Sequence, residues 1–482
     1  MNEIPRFAVV GRVNKGKSSI VATLAEDDSV AIDARPGTTV AVREYPVRVD
    51  GRTLFVLVDT PGFEDAPRAL AWLRARETSA AERPARVAEL VRAFEGTDEF
   101  VDERRLLAPI LGGANVIYVV DGTRPFRPNY EAEMEILRWT GRPGMAVINR
   151  IGDEDHAAEW RRALDQYFKI VRDFDAFSVS FEERLRLLEV FRELRPDGQA
   201  AIDEALLALT AQRRRRRFDA ADEIAALLVD ELTHTEEVVV GSEALLEAER
   251  DRLERSFHDH LREREEEARR RVEALYAHRQ VRFELASLAR PVFRQDLFAE
   301  ETWKTLGLTP AELLGASALA GAAVGGAIDA MVGGASLLAG TAIGGVVGGA
   351  GALFSLGRRF ARVRQVTAGG VVGWMSAARR YWEGGRRFRI GPHAQPNFPW
   401  VLLDRALLHY DAVVHRTHAR RDTIASFAGR EGVVADFARG ERRELEELFQ
   451  RIRRSGSDPP RELRDALEAA VGRILERIDP LP

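Results

Sequence analysis

Residues 11–18 read G-R-V-N-K-G-K-S, which places glycines, a lysine and a hydroxyl at a spacing suited to phosphate binding. Gly11 and Gly16 allow the backbone to wrap so that its N–H groups face a β-phosphate. Lys17 reaches the β- and γ-phosphates in such a loop, and the Ser18 hydroxyl binds Mg²⁺. The segment therefore predicts a nucleotide-binding loop, with contacts from Gly11, Asn14, Lys15, Gly16, Lys17, Ser18 and Ser19.

A second motif, Asp59-Thr60-Pro61-Gly62, follows the apolar stretch 53–58. A carboxylate at the end of a buried strand, opposite a phosphate loop, suits the Mg²⁺ shell. Gly62 would donate its backbone N–H to a γ-phosphate and could hinge with the state of the nucleotide. Between the two motifs, residues 35–39 read R-P-G-T-T. One of the two adjacent hydroxyls would complete the Mg²⁺ shell when a triphosphate is bound.

These motifs need strands that end beside one another, and the sequence predicts such strands. Apolar runs lie at 4–10, 40–49, 53–58, 114–121, 145–148 and 169–174, with a helical pattern at 130–139. Their alternation with helices predicts an α/β, doubly wound domain over residues 1–195, with ligands at the carboxyl ends of the strands. Residues 67–111 insert helical material, as either a longer surface helix or an arm coupled to the C-terminal region.

The phosphate loop, the P-G-T-T segment and D-T-P-G together resemble the TrmE–Era–EngA-like class of GTPases, although Val13 stands where proline is usual. In that class the second threonine of the pair is the Mg²⁺ ligand, so the resemblance implies Thr39. An asparagine at the position of Asn14 often helps to bind potassium, but a loop residue that tolerates left-handed geometry is the alternative explanation. The catalytic positions implied are Lys17, Thr39 and Gly62.

Phe63 follows Gly62, and its ring cannot hydrogen-bond an attacking water as a glutamine does in Ras-type GTPases. Members of the class that this chain resembles also have a hydrophobic residue here. Intrinsic hydrolysis is therefore expected to be slow, or to depend on another group, on potassium or on self-association.

Guanine recognition is the least regular part of the pattern. The class carries N-K-x-D after a strand, whereas residues 149–153 read N-R-I-G-D, with Gly152 where the aspartate belongs. The base-side candidates are Asn149, Arg150, Asp153 and Ala176. A slipped loop could present Glu154 instead of Asp153. Without a carboxylate on the base, discrimination against ATP should fall.

Beyond residue 195 the sequence predicts a mainly α-helical C-terminal region, with helical patterns at 205–232, 241–288 and 400–420. We divide it into long helices at 196–310, a glycine-zipper hairpin at 311–357 and a mainly helical domain at 358–482. The long helices predict a coiled coil or a long hairpin. The arginine run 213–217 favours a solvated helix face or a contact with anionic lipid over nucleic-acid binding. His415 and His418 share a helical face as a candidate metal pair, although structural or surface roles explain them more simply.

Residues 313–357 contain a single charged residue, Asp329, and glycines spaced by four. Small residues at that spacing let helices approach closely, and the 28 uncharged residues after Asp329 exceed the ~20 that cross a bilayer. Arginines at 358, 359, 362 and 364 would hold that end on the cytoplasmic side. A membrane hairpin and a soluble hairpin buried by the long helices are both open interpretations.

Composition limits the remaining classes. The 482 residues carry 71 basic and 76 acidic side chains, a net charge of −5, and no cysteine. The near balance gives no overall case for a nucleic-acid-coating protein. The lack of cysteine excludes a disulfide scaffold, a thiolate zinc site and a cysteine nucleophile. The first apolar run does not have the pattern of an export signal, so we expect a cytoplasmic location.

Over its whole length the chain resembles a bacterial family of GTPases with a large C-terminal domain of unknown function. The resemblance implies binding of GTP and GDP, with Mg²⁺ as cofactor and potassium as a candidate second ion. We expect a slow GTPase that acts as a nucleotide switch, with inner-membrane lipid or a membrane protein as candidate partner and a homodimer as candidate assembly. The alternatives are a soluble TrmE- or Era-like factor in tRNA modification or ribosome maturation, and a non-hydrolysing nucleotide-dependent scaffold.

Overall fold

The computed structural model describes residues 4–30, 42–150, 152, 154–194, 199–240, 243–278, 386–393, 397–420 and 432–482. Thr39, Asp153 and the glycine-rich segment 313–357 lie outside these residues, so what the sequence predicts for them stays a prediction. Among the described helices, none is both long enough and apolar enough to cross a membrane.

A six-stranded sheet forms the centre of the N-terminal part. Its strands are β1 (Arg6–Val10), β2 (Arg43–Val49), β3 (Arg52–Asp59), β4 (Asn115–Asp121), β5 (Gly144–Asn149) and β6 (Val171–Phe174). They follow the order β2-β3-β1-β4-β5-β6, in which β2 is antiparallel to β3 and the other neighbours are parallel. Every residue of β4 is buried, as expected for a central parallel strand covered on both faces.

Helices cover both faces of this sheet. One face carries α1 (Lys17–Ala25) and the later helix α7 (Phe181–Leu194). The other carries α2 (Ala66–Arg74), α3 (Arg83–Ala93), α4 (Val101–Leu111), α5 (Asn129–Trp139) and α6 (Ala157–Leu164). The prediction of an α/β, doubly wound domain is confirmed. The inserted segment 67–111 forms α2 to α4, which pack on one another, on α5 and on β1.

The C-terminal part is a helical bundle with one short ribbon, which confirms the prediction of a mainly helical region. Its helices are α8 (Gln199–Thr233), α9 (Glu243–Leu275), α10 (Phe398–Val414), α11 (Arg439–Ser455) and α12 (Arg461–Ile478), with a 3₁₀ turn at Val433–Asp436. They share one apolar core, and α8 contacts each of the other four. Strands β7 (Glu236–Val240) and β8 (Arg386–Ile390) pair antiparallel beside α9.

The packing of α8 bears on the described part of 196–310. Because α8 contacts each of the other four bundle helices, the structure gives no support to the coiled-coil interpretation. The long-hairpin interpretation fits, since Arg264 of α9 reaches Asp230 at 2.9 Å while Arg271, two turns further on, reaches Glu223 at 2.9 Å. Those pairs run in opposite chain directions, so α8 and α9 are antiparallel.

Two helices end earlier than their sequence patterns predict. α9 ends at Leu275, inside the predicted range 241–288, because Ala277 adopts a left-handed φ of 60° that breaks the helix. α10 ends at Val414, and the chain turns before residue 420. Because these helices end early, His278 and His418 lie in the segments that follow them, and both side chains are buried.

Candidate nucleotide-binding site

The phosphate loop joins β1 to α1 at the carboxyl end of the central strands. Gly11, Asn14 and Gly16 have φ angles of 140°, 60° and 80°. A Cβ on Gly11 would lie 2.3 Å from the carbonyl oxygen of Val119 on β4, so only glycine fits there. The left-handed Asn14 agrees with its loop interpretation, and Ser19 is buried in the first turn of α1.

Lys17 is the first residue of α1 and is 6% exposed. Its Nζ donates to the carbonyl oxygen of Arg12 at 2.8 Å, so the side chain folds back over the loop. Burial lowers the pKa of Lys17 to about 8, while the Asp59 carboxylate opposes that shift. A phosphate in the loop would compensate this partly desolvated ammonium.

Ser18 and Asp59 come together although they are 41 residues apart in the sequence. The Ser18 hydroxyl donates to Oδ2 of Asp59 at 2.8 Å, and Asp59 ends the buried strand β3. Adjacent oxygens in an octahedral Mg²⁺ shell are about 3.0 Å apart, given metal–oxygen distances of ~2.1 Å. The hydroxyl and the carboxylate are therefore spaced as two neighbouring ligands of one magnesium ion.

Gly62 lies directly against the phosphate loop. A Cβ at this position would be 2.4 Å from the backbone nitrogen of Val13, so a larger residue would push the two segments apart. The N–H of Phe63 donates to the carbonyl oxygen of Gly11 at 3.3 Å, and the Phe63 ring is buried in the core. This ring packs between sheet and helices and offers no group to orient a water.

Glu103 of α4 holds the segment that follows this turn. Its Oε1 accepts the backbone N–H groups of Glu64 at 2.9 Å and Asp65 at 2.7 Å, and the side chain is buried. The inserted helices are thus attached to the residues immediately after Gly62. No local pattern in the sequence indicates this contact, because Glu103 looks like an ordinary acidic residue in the first turn of a helix.

A second buried carboxylate, Glu133 of α5, lies beneath the loop. It pairs with Arg12 and accepts the Tyr118 hydroxyl at 2.9 Å. Burial raises the pKa of Glu133 to about 7, and the Arg12 guanidinium opposes that shift. The sequence does hold a signal for it, because Glu133 stands on the apolar face of α5 between Tyr130 and Leu137, where a charge is unexpected.

Asn149 connects the phosphate loop to the predicted base side. Its Nδ2 donates to the carbonyl oxygen of Lys15 at 3.2 Å, and its Oδ1 accepts the N–H of Ala176 at 3.4 Å. Thr23 of α1 adds a hydrogen bond to the Ala176 carbonyl oxygen at 2.9 Å. The side chain of Lys15 is engaged with Asp121 at 3.2 Å. The structure therefore brings together Lys15, Asn149 and Ala176 from three strand ends.

The remaining base-side candidates are more exposed to solvent. Arg150 is half-exposed, with Asp155 as an ion-pair partner at 3.7 Å. Gly152 lies beside Thr123, where a Cβ would have ordinary contacts, so its small size leaves room at this edge.

The arginine run 213–217 is a solvated face only in part, since Arg214 and Arg215 are exposed whereas Arg213 is buried. Four of its members pair with carboxylates in other elements: Arg213 with Asp479, Arg215 with Asp50, Arg216 with Glu26 and Arg217 with Glu476. Two of these carboxylates belong to the sheet domain and two to the C-terminal end of the chain. The run is buried at Arg213 and nearly so at Arg216 because α8 lies between the two parts.

His415 and His418 do not form a pair, because α10 ends before them. His415 is half-exposed and lies 2.9 Å from Asp411. His418 is buried and stacks on His278, with ring centroids 4.3 Å apart. Burial, assisted by the neighbouring His278, lowers the pKa of His418 to about 4. The surface interpretation thus suits His415, while His418 belongs to a different cluster.

The sheet order, the phosphate loop and the D-T-P-G turn define a P-loop GTPase domain at the N-terminus. A family model described as 50S ribosome-binding GTPase matches residues 6–150. A second family model, described as a domain of unknown function (DUF3482), matches residues 161–476. This second match spans more than half of the chain, and the protein belongs to the DUF3482 family.

Curated relatives are similar to part of the chain. GTPase Der of Rhodopirellula baltica is 37% identical over 89 residues, 18% of this chain and 19% of that protein. GTPase Der of Bifidobacterium longum is 29% identical over 168 residues, 34% of this chain and 30% of that protein. The chain thus spans about a fifth to a third of the length of these relatives.

A solved structure, Era in complex with MgGDPNP and a segment of 16S ribosomal RNA, overlaps with a TM-score of 0.25 at 17% identity. It covers 36% of this chain and 52% of that chain.

Proposed function

We propose that the N-terminal domain, residues 1–195, is a Mg²⁺-dependent GTP switch with slow hydrolysis. The 2.8 Å hydrogen bond between Ser18 and Asp59 carries this proposal, because it joins a hydroxyl and a carboxylate beside the phosphate loop. Lys17 would bind the β- and γ-phosphates, and Thr39 would complete the metal shell. The ion would supply positive charge to the phosphate oxygens. Titration with a fluorescent GDP analogue, with and without Mg²⁺, tests the binding step.

The switching step rests on the contacts of Gly62. This glycine lies against Val13 of the phosphate loop, and its N–H would donate to a γ-phosphate bound there. Any displacement of the turn is carried to Glu64 and Asp65, whose N–H groups are held by Glu103. The inserted helix α4 would therefore respond to the difference between GTP and GDP.

Slow hydrolysis is supported by the burial of Phe63, which is 3% exposed. A potassium ion bound through Asn14, or a second copy of the chain, would then be needed for faster turnover. Single-turnover hydrolysis in potassium and in sodium salts tests this step. We expect faster turnover in potassium. Hydrolysis that is absent in both salts would instead favour the nucleotide-dependent scaffold.

The preference for guanine depends on the loop after Asn149. We propose Asp153 as the base carboxylate, since Gly152 holds the usual position without a side chain. In a competition between GTP and ATP, the preference of Asp153→Asn for GTP should be at least about tenfold lower than that of the wild type. The reason is that a buried polar contact with the base is left unpaired. Glu154→Gln is the matched control. Loss in the control alone would assign the role to Glu154.

For the C-terminal region we propose docking at the cytoplasmic face of the inner membrane through residues 311–357. The apolar composition of that segment supports this role. The test is fractionation of cells that carry the full chain or a chain lacking residues 313–357. We expect only the full chain in the membrane fraction.

A ribosome-associated role is the second candidate, because the family model over residues 6–150 is described as ribosome-binding. Co-sedimentation with large ribosomal subunits in the presence of a non-hydrolysable GTP analogue would favour it over the membrane role. Light scattering of the purified chain would show whether it forms a homodimer.

A further inference from the structure

Three buried side chains from three separate segments meet where the GTPase domain contacts the C-terminal bundle. Asp28 follows α1, His278 follows α9 and His418 follows α10, and each is at most 6% exposed. One oxygen or nitrogen atom from each lies within 4.8 Å of the other two. Oδ1 of Asp28 is 3.8 Å from Nδ1 of His278 and 3.9 Å from Nε2 of His418.

These separations are close to those of a metal shell. Ligands of a tetrahedral zinc ion, at ~2.1 Å from the metal, are about 3.4 Å from one another. The two measured distances exceed that value by about 0.5 Å. Small side-chain shifts would therefore bring Asp28 and either histidine to ligand spacing.

His278 is oriented as a metal-ligating histidine usually is. Its Nε2 lies 3.2 Å from the carbonyl oxygen of Val413, so a hydrogen on Nε2 would be donated to the backbone. That tautomer leaves the lone pair of Nδ1 directed to the side of Asp28. Nδ1 is buried and has no hydrogen-bond partner within the described part of the chain. A backbone carbonyl on the other ring nitrogen is the common way to orient a histidine ligand.

His418 would have to exchange its hydrogen bond to the backbone. Its Nε2 is 3.1 Å from the carbonyl oxygen of Tyr276 as well as 3.9 Å from Asp28. An ion would replace the hydrogen bond to Tyr276, and the ring hydrogen would move to Nδ1. Because the two imidazole rings are stacked at 16°, one ring must also tilt so that both nitrogens face a single ion. A neighbouring cavity of about 390 Å³, lined in part by Asp28 and Ala277, provides room and access.

We propose that Asp28, His278 and His418 form a site for a divalent transition-metal ion of the zinc class, with water as the fourth ligand. Two imidazoles and one carboxylate suit zinc, whereas Mg²⁺ and Ca²⁺ prefer oxygen ligands alone. The site is therefore distinct from the magnesium position at Ser18 and Asp59.

The location of the site gives it a role in joining the two parts of the protein. Asp28 lies between α1 and the segment that contains Thr39, while both histidines belong to the C-terminal bundle. A bound ion would fix the end of α1 to the ends of α9 and α10. Arg184 lines the same cavity, but its guanidinium is paired with Glu26. The Glu26 carboxylate therefore reduces the repulsion between Arg184 and a bound cation.

The test uses the full chain, stripped with a chelator and dialysed against Zn²⁺ in an excess of Mg²⁺. We expect one zinc per chain by elemental analysis. His278→Gln and His418→Gln should each weaken zinc binding by at least about tenfold, since even loss of an outer-shell partner costs that much. His415→Gln is the matched control, because this half-exposed neighbour pairs with Asp411 and should leave the affinity unchanged. Equal zinc binding by the wild type and the double variant His278→Gln/His418→Gln would overturn the proposal.

A second measurement needs no variant. Co²⁺ in place of Zn²⁺ should give the visible absorption of a four- or five-coordinate nitrogen and oxygen site in the wild-type chain. A spectrum of hexaaqua Co²⁺ alone would refute the proposal. Lys17→Ala separates this site from the GTP switch, because that variant should lose nucleotide and keep zinc.

Discussion

Glu26, at the C-terminal end of α1, pairs with Arg216 in the middle of α8. The same carboxylate accepts a hydrogen bond from Arg184 of α7 at 2.8 Å. Burial alone would raise the pKa of Glu26, but the two guanidiniums hold it well below its usual value. Because α1 begins at Lys17 in the phosphate loop, this pair connects the nucleotide site to the longest described helix of the C-terminal bundle.

Replacing Glu26 should destabilise the protein strongly. Glu26→Gln leaves Arg216 and Arg184 without their charge partner, and breaking a buried ion pair costs about 3–5 kcal/mol. The free energy of unfolding in urea measures this loss. Glu204→Gln is the control, because Glu204 pairs with Arg52 at the exposed surface and should cost at most about 1 kcal/mol. Equal losses in the two variants would contradict a special role for Glu26.

The same pair predicts a pH dependence of stability. A carboxylate with a lowered pKa in the folded state contributes stability that is complete above its unfolded value, about 4.5. That contribution is lost as the pH falls further and Glu26 becomes protonated. The wild type should therefore lose more stability than Glu26→Gln between pH 5 and pH 3, as measured by urea midpoints. Parallel curves for the two proteins would argue against the pair.

Nucleotide affinity should depend on the protonation of Lys17. Burial lowers the pKa of this ammonium to about 8, and bound phosphates would raise it. Affinity for GDP should thus be constant below pH 7.5 and fall by up to about tenfold for each pH unit above 8. Titration with a fluorescent GDP analogue from pH 7 to pH 9 measures the slope.

Lys17→Ala should lose nucleotide binding, while Lys169→Ala, at an exposed lysine, should bind as the wild type does. A Lys17→Ala protein with normal GDP affinity would refute the assignment of the phosphate loop.

Removal of Glu103 should loosen the segment after Gly62. Hydrogen bonds to a charged group contribute about 1.5–3 kcal/mol each, and Glu103 accepts two of them. In Glu103→Ala, the amides of residues 64 and 65 should exchange with deuterium at least about tenfold faster. The difference in exchange rate between the GTP-bound and GDP-bound states should also become smaller. Arg105→Ala, a half-exposed change on the same helix, is the control. Unchanged protection at 64 and 65 would show that α4 does not hold this turn.

Asp479, close to the C-terminus, should be essential for stability. Its two carboxylate oxygens bind Arg213 of α8 at 2.8 and 3.2 Å, and both side chains are buried. Asp479→Asn should cost about 3–5 kcal/mol in thermal or urea unfolding. Glu476→Gln removes the more exposed partner of Arg217 and should cost less than about 1 kcal/mol. If Glu476→Gln were as damaging as Asp479→Asn, the buried geometry would not explain the effect.

The phosphate loop and the D-T-P-G turn were predictable because the residue types that they need stand together in short stretches of sequence. Asp59, for example, is placed by the end of its own strand. The contact that requires glycine at position 11 is the exception, because it involves Val119 on the distant strand β4. An apolar run followed by such a motif therefore predicts most of the local backbone geometry from one stretch of sequence. Thr39 and Asp153 rest on the resemblance alone.

Contacts between distant elements could not be predicted in this way. Glu103 is one of several acidic residues on the inserted helices, and only the packing of α4 brings it to Glu64 and Asp65. Glu133 gave a partial signal, since an acid on an apolar face must find a partner, but the partner Arg12 is 121 residues away.

The sequence by itself determined the class of the N-terminal domain, the mainly helical character of the rest and the residues that wrap a phosphate. Only the tertiary structure decided what the arginine run and the histidines contact. A run of arginines in the sequence shows that a helix is positively charged. It does not show whether water or a carboxylate of another element faces that charge. Arg216 meets Glu26, and His418 meets His278 and Asp28, because elements far apart in the chain pack together. Such pairings depend on the path of the whole chain, which no local pattern contains.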